Sequence, residues 1–285
     1  MVGKQPCAVL GAGTMGGGIA QFLAAAGCEV FLYDLGEELL SRGMESIRAR
    51  LGRRVEKGKL TPEAQEEILA RIRPVTDLRD LASACWVIEA VVERLDVKKE
   101  LFAKVEERVD AEAVLATNTS SLSVTSVAAN LRRPERLLGL HFFNPAPVMP
   151  LVEVVLGART DLQVAETAAE WICSLGKDPV LVKDTPGFLV NRVARHFHSE
   201  AYRIVGEGLA DKEQVDRILR GAGYKMGPFE LQDLIGVDIN YAASVSVYEG
   251  FFHDPRFRPH PDQRLLVESG DLGRKTGRGH YAYDG

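Results

Sequence analysis

Leu10-Gly11-Ala12-Gly13-Thr14-Met15-Gly16 is the stretch that decides the fold. The apolar run Cys7 to Leu10 before it reads as a short strand, and Met15 to Ala26 after it as an alanine-rich helix. A second strand, Glu29 to Tyr33, ends at Asp34, 23 positions beyond Gly11. Strand, glycine turn, helix and strand in this order make a dinucleotide-binding unit. Gly11 permits the tight turn, Gly13 lets the backbone approach a pyrophosphate, and Gly16 lets the helix pack closely on the sheet. The free amides at the helix start, around Thr14 and Met15, then bind phosphate oxygens. Asp34 is placed to accept hydrogen bonds from the adenosine ribose diol. A carboxylate there repels a 2′-phosphate and Leu35-Gly36 adds no cation, so NAD is expected rather than NADP.

The alternation continues downstream. Glu37 to Ile72 is charged, with Leu39, Leu40, Met44, Ile47 and Leu51 at helical spacing, and Thr61-Pro62-Glu63 reads as a fresh helix start. Two long helices projecting as a hairpin are expected here. Strands follow at Trp86 to Ala90, Val114 to Ala116, Leu137 to Leu140, Leu151 to Leu156 and Pro179 to Val182, with helices at Val97 to Val109 and Leu162 to Leu175. This is the pattern of an α/β fold with a doubly wound, mostly parallel Rossmann-type sheet. Beyond the turn-rich Lys183-Asp184-Thr185-Pro186-Gly187 everything reads as helix and loop, starting with Phe188 to Val205 and Lys212 to Gly221. Two domains are expected: 1–184, α/β with the hairpin inserted, and 185–285, all-α, with an irregular glycine-rich tail beyond Gly270.

The composition is that of an ordinary globular chain: of 285 residues, 46% are hydrophobic and 26% charged. A net charge of −5 gives no electrostatic reason to expect nucleic acid or an anionic membrane as partner. Cys7, Cys28, Cys85 and Cys173 are scattered in apolar contexts without metal-ligand spacing, so they read as core hydrophobes in a reducing compartment, and no metal is expected. No apolar run approaches membrane-spanning length, and the first strand begins at once. Cytoplasm is the expected address.

Three places carry chemistry. His141, flanked by apolar residues, sits at the end of one strand, and Glu153 is the one charge in the next, Leu151 to Leu156. An imidazole with a carboxylate on its far nitrogen has a fixed tautomer and is suited to proton transfer; a satisfied core histidine beside an unrelated glutamate is the alternative. Asn118-Thr119-Ser120-Ser121 follows a strand on the carboxyl side, where ligands bind in open parallel sheets, and its amide and hydroxyls are placed to reach cofactor and substrate. Ser121 also suits a helix cap before Leu122. Asn191, early on the long helix after Pro186-Gly187, reads from the residues alone as an ordinary polar surface position.

Taken together, Gly11-Ala-Gly-Thr-Met-Gly-Gly-Gly-Ile-Ala-Gln21, Glu89-Ala-Val-Val-Glu93, Asn118-Thr-Ser-Ser-Leu122, His141-Phe-Phe-Asn-Pro145, Lys183-Asp-Thr-Pro-Gly-Phe-Leu-Val-Asn-Arg192 and Gly223-Tyr-Lys-Met-Gly-Pro-Phe-Glu-Leu231 resemble the L-3-hydroxyacyl-CoA dehydrogenases, most of all the short bacterial 3-hydroxybutyryl-CoA dehydrogenases. The resemblance runs from about Cys7 to Tyr283. It implies NAD-dependent, reversible oxidation of an L-3-hydroxyacyl-CoA to the 3-ketoacyl-CoA, with His141 as general base and Glu153 holding its ring. It implies further that Ser120 and Asn191 hydrogen-bond the substrate oxygens, that Asp34 binds the ribose, and that Glu93, Lys98, Asn144 and Lys275 line the cofactor or its approach. Lys57 and Lys59 on the hairpin are its candidates for the coenzyme A phosphates, and a homodimer through the helical domain is implied. Met149-Pro150-Leu151 departs from the family, which often carries Lys at the proline, and this leaves the preferred acyl chain open. A dehydrogenase of a free hydroxy acid such as a sugar acid, and a non-catalytic NAD-binding protein, are the alternatives.

Overall fold

In the computed structural model, which describes residues 4–283, the chain divides between Asp184 and Thr185 into two compact units. The first unit holds a sheet of eight strands in the order β3-β2-β1-β4-β5-β6-β7-β8. Its elements are β1 (Cys7–Leu10), α1 (Thr14–Ala25), β2 (Val30–Tyr33), α2 (Glu37–Glu56), α3 (Pro62–Ala70), β3 (Ile72–Val75), β4 (Trp86–Glu89), α4 (Leu95–Glu106), β5 (Val114–Thr117), α5 (Val124–Val127), β6 (Leu137–Phe142), β7 (Leu151–Leu156), α6 (Leu162–Ser174) and β8 (Asp178–Lys183). Neighbouring strands pair parallel except β6 with β7, whose antiparallel ladder sets His141 opposite Glu153. The sheet is therefore mostly parallel, as expected.

Two-residue alternation along each strand sends side chains to opposite faces. Cys7 and Val9, Val30 and Leu32, Trp86 and Ile88, and Leu138 and Leu140 pack with α1, α2, α3 and α6 in one core, where Trp86 stacks on Trp171 at 4.1 Å. Burying side chains of this size contributes about 1.5–3 kcal/mol each. Glu89, Thr117, Gly139, His141 and Glu153 point to the other face, the side of α4 and α5.

Four expectations are corrected. The hairpin does not project as two long helices: α2 lies along α1 with Leu40, Ile47 and Leu51 buried, and α3 has only 9 residues, capped by the Thr61 hydroxyl accepting from the Ala64 amide. Ile72, read as the end of the hairpin, starts the edge strand β3, a strand hidden by its exposed Arg73 and Pro74. The helix after the boundary begins at Val190, because Phe188 takes φ +49, outside the right-handed helical region. Cys173 is exposed, since Ala165, Ala168, Trp171 and Ile172 already fill the buried stripe of α6.

The second unit is helical: α7 (Val190–Gly206), α8 (Lys212–Gly221), α9 (Pro228–Ile235), α10 (Val237–Gly250) and α11 (Pro261–Ser269). Asp211 and Gln214 close a capping box on α8. Its interior is unusually polar. Arg195, buried, donates to the carbonyl and side chain of Asn240 and to Ser244, and Tyr202 meets His280 at 3.0 Å. No helix among the described residues is long and apolar enough to cross a membrane.

Candidate functional site

The glycine turn is built by close approach. Gly11 has φ +103, and a Cβ there would lie 2.6 Å from the Ala90 carbonyl oxygen, so the turn tolerates no side chain. A Cβ on Gly16 would lie 1.8 Å from the Gly11 oxygen, which is why α1 can start so tightly under the turn. Gly13 is the N-cap of α1, makes no side-chain cap and has open space around it. The first-turn amides, at Thr14, Met15 and Gly16, thus lack a side-chain acceptor, as an anion site at a helix N-terminus requires.

Asp34, at the carboxyl end of β2, accepts from the Ala12 amide at 2.8 Å and the Leu35 amide at 2.7 Å. One carboxylate thereby ties the second strand to the glycine turn. Turn and carboxylate line one cleft of about 750 Å³, closed on its sides by Arg42 and Ser46 of α2 and by Leu101 of α4. Cradle, carboxylate and volume fit a dinucleotide. Arg42, Arg50 and Lys104 also line this cleft, cations that a reading confined to Leu35 and Gly36 did not count.

The loops after β4 and β5 are fastened by charge. Glu93 accepts from the Thr119 hydroxyl at 2.5 Å, the Ser120 amide at 3.1 Å and the Ser121 hydroxyl at 3.0 Å. Burial opposes ionisation of Glu93, but the Lys98 charge and the hydrogen bonds from Thr119, Lys98 and Ser120 outweigh it and hold the carboxyl below its usual range. Lys98 is itself buried, its ammonium 2.5 Å from Glu89 and 3.2 Å from Glu93. It lies beneath the surface between two carboxylates, while Ser120 is exposed at the loop tip. Asn118 accepts from the Phe142 amide at 2.9 Å and so joins this loop to the strand carrying His141.

His141 Nδ1 lies 2.6 Å from a Glu153 oxygen, with His141 6% exposed and Glu153 fully buried. The side chain of Phe143 packs on the ring at 4.5 Å. A buried carboxylate on Nδ1 fixes the tautomer that carries its proton there and its lone pair on Nε2. Asn144 follows in an exposed turn, and Lys177 pins that loop by donating to the carbonyls of Ala146 (2.8 Å) and Met149 (2.6 Å). Burial pushes the Lys177 ammonium below its ordinary pKa.

Lys57 and Lys59 are exposed at the turn between α2 and α3 and make no ion pair among the described residues. Asn191 and Lys275 belong to the helical unit, where the Asn191 carbonyl accepts from Arg195 and Lys275 pairs with Asp238 at 2.6 Å. Sequence reasoning did not single out Glu89, Thr117 or Lys177. Glu89 carried the same signal as Asp34, an acid closing an apolar strand. Among the described residues no group of His, Cys, Asp or Glu is placed to hold a metal ion.

Residues 6–185 match the family of the 3-hydroxyacyl-CoA dehydrogenase NAD binding domain, and residues 187–283 that of the 3-hydroxyacyl-CoA dehydrogenase C-terminal domain. The chain is 52% identical over 282 residues to the 3-hydroxyadipyl-CoA dehydrogenase of Escherichia coli K12, covering 99% of this chain and 59% of that longer protein. It is 43% identical over 276 residues to a probable 3-hydroxybutyryl-CoA dehydrogenase of Deinococcus radiodurans, covering 96% and 99% of the two chains. The crystal structure of (S)-3-hydroxybutyryl-CoA dehydrogenase from Ralstonia eutropha superposes with a TM-score of 0.93 at 39% identity, covering 99% of each chain. With an NAD-binding unit built on the glycine turn and a helical unit following it in sequence, the chain belongs to the 3-hydroxyacyl-CoA dehydrogenase family.

Proposed function

We propose that this chain interconverts an L-3-hydroxyacyl-CoA and its 3-ketoacyl-CoA. The observation that carries the reading is the buried His141–Glu153 pair at the carboxyl end of the sheet that bears the glycine turn. NAD, when bound, supplies the hydride acceptor. The amides at the start of α1 and the Asp34 carboxylate hold it. His141 Nε2 takes the 3-hydroxyl proton, and Glu153 on the other nitrogen stabilises the imidazolium that results. Ser120 and Asn191 hydrogen-bond the substrate oxygens and orient the carbinol. Glu93, Lys98, Asn118, Asn144 and Lys275 support the cofactor or its approach, and Lys57 and Lys59 meet the coenzyme A phosphates. Alignment of this kind removes roughly 7–11 kcal/mol of barrier in favourable cases, and general-base assistance adds ~10²–10⁴-fold.

The names of the relatives bracket the acyl chain between 3-hydroxybutyryl and 3-hydroxyadipyl. A homodimer through the helical unit is part of the proposal, supported by the exposed Val193, Ile218 and Ile239, as is a cytoplasmic address. The test is His141→Gln. Turnover is expected to vanish while NADH binding persists; a near-normal rate would remove His141 from the mechanism.

A further inference from the structure

We propose that Glu89 is a positioning residue for the loop that presents Ser120, acting through Lys98 and Glu93; this rests on the dehydrogenase reading. Glu89 closes β4 on the α4 side of the sheet, beside Thr117 of β5 and in the row that continues to Gly139, two residues before His141. It is fully buried, and three donors converge on its carboxylate: the Lys98 ammonium at 2.5 Å, the Val91 amide at 2.7 Å and the Thr117 hydroxyl at 2.7 Å. The Glu89 carbonyl accepts the Asn118 amide at 2.8 Å, so the same residue also fixes the start of the loop.

The charges form a chain of carboxylate, ammonium and carboxylate. Lys98 is 1% exposed, so its charge is stable there only with carboxylates beside it. Glu89, at the closed end, holds the ammonium in place. Glu93, at the open end, is 38% exposed and spends its other oxygen on Thr119, Ser120 and Ser121. Thr117 braces the loop from beneath, since its hydroxyl also accepts the Thr119 amide at 3.2 Å. Without the buried charge on Glu89, the ammonium is drawn onto Glu93, whose hold on the loop loosens. A Gln at 89 has one acceptor and one donor group where three donors converge, so it cannot reproduce the arrangement.

The experiment combines Glu89→Gln with Ser120→Ala in a double-mutant cycle, alongside hydrogen exchange. Amide exchange at Ser120 and Ser121 is expected to quicken about tenfold in the Gln variant, while amides of β1 and β2 stay protected. The kcat is expected to fall about tenfold when Ser120 is present and less than about twofold in the Ser120→Ala background, because the two act as one unit. Equal losses on both backgrounds, or unchanged exchange at Ser120, would overturn the proposal. Thr117→Val serves if the Gln variant does not fold, with the same outcomes expected. Absence of turnover in the unmodified protein would instead strike the dehydrogenase reading, and the exchange result would still decide the role of Glu89.

Discussion

Replacing Glu153 by Gln changes one charge and almost no volume. The pair it alters is short, 2.6 Å between His141 and Glu153, and joins residues set opposite each other in the antiparallel ladder of β6 and β7. Charge-assisted hydrogen bonds in such surroundings contribute about 1.5–3 kcal/mol. The interaction strengthens as His141 takes up the proton, so its loss falls on the barrier rather than on binding. At about 1.4 kcal/mol per decade of rate, kcat is expected to drop about 10- to 150-fold. The assay is steady-state NAD+ reduction by the L-3-hydroxyacyl-CoA at saturating substrate, with the NADH dissociation constant measured separately by fluorescence and expected to change less than about twofold. Urea unfolding of the variant separates a local effect from a general loss of fold. A kcat within threefold of the unmodified protein would refute the reasoning, as would a loss of NADH affinity that matches the loss of rate.

Asp34→Ala removes both the proposed ribose acceptor and the hydrogen bond from the Ala12 amide, so NADH affinity is expected to fall about 10- to 100-fold; titration giving an unchanged dissociation constant would exclude the ribose role. Gly16→Ala forces the Gly11 carbonyl away from a Cβ only 1.8 Å distant, and is expected to destabilise the fold by about 1–3 kcal/mol and to weaken NADH binding. Denaturant midpoints equal to those of the unmodified protein would count against so close an approach. Acid should weaken the helical unit through two imidazoles. Burial, the larger cause for each, pushes His198 from 6.5 down to about 3 and His280 down to about 4. Below pH 6.5 the unfolded chain binds more protons than the folded one, so the stability these groups contribute above that pH is lost as pH falls toward 4 and then 3. Each contributes about 1.4 kcal/mol per pH unit across its window. His280→Gln is expected to flatten this acid dependence in urea titrations between pH 7 and 5, and an unchanged slope would contradict it.

Legibility followed locality. The glycine turn, the helix behind it and Asp34 were readable because strand, turn and helix are contiguous and their chemistry is local. His141 and Glu153 were each visible as polar residues in apolar strands. That they meet depends on the antiparallel ladder between β6 and β7, a pairing that neither strand's own residues specify. β3 escaped because Arg73 and Pro74 are exposed at a sheet edge and break the apolar run that marks a buried strand. Lys98 was assigned from resemblance to lining the cofactor or its approach, and its contacts with Glu89 and Glu93 were not legible, because packing between α4 and the sheet fixes those partners. The cations of the cleft were missed for a related reason: α2 folds Arg42 and Arg50 back to the turn and α4 brings Lys104 to it, placements set by helix packing and not by the residues next to Asp34.

The central claim is tested most directly by following NADH absorbance with acetoacetyl-CoA, against free acetoacetate and NADPH as controls. Rapid loss of NADH with the thioester alone is the predicted result. Equal rates with free acetoacetate, or no loss with any acyl-CoA despite measured NADH binding, would contradict the account.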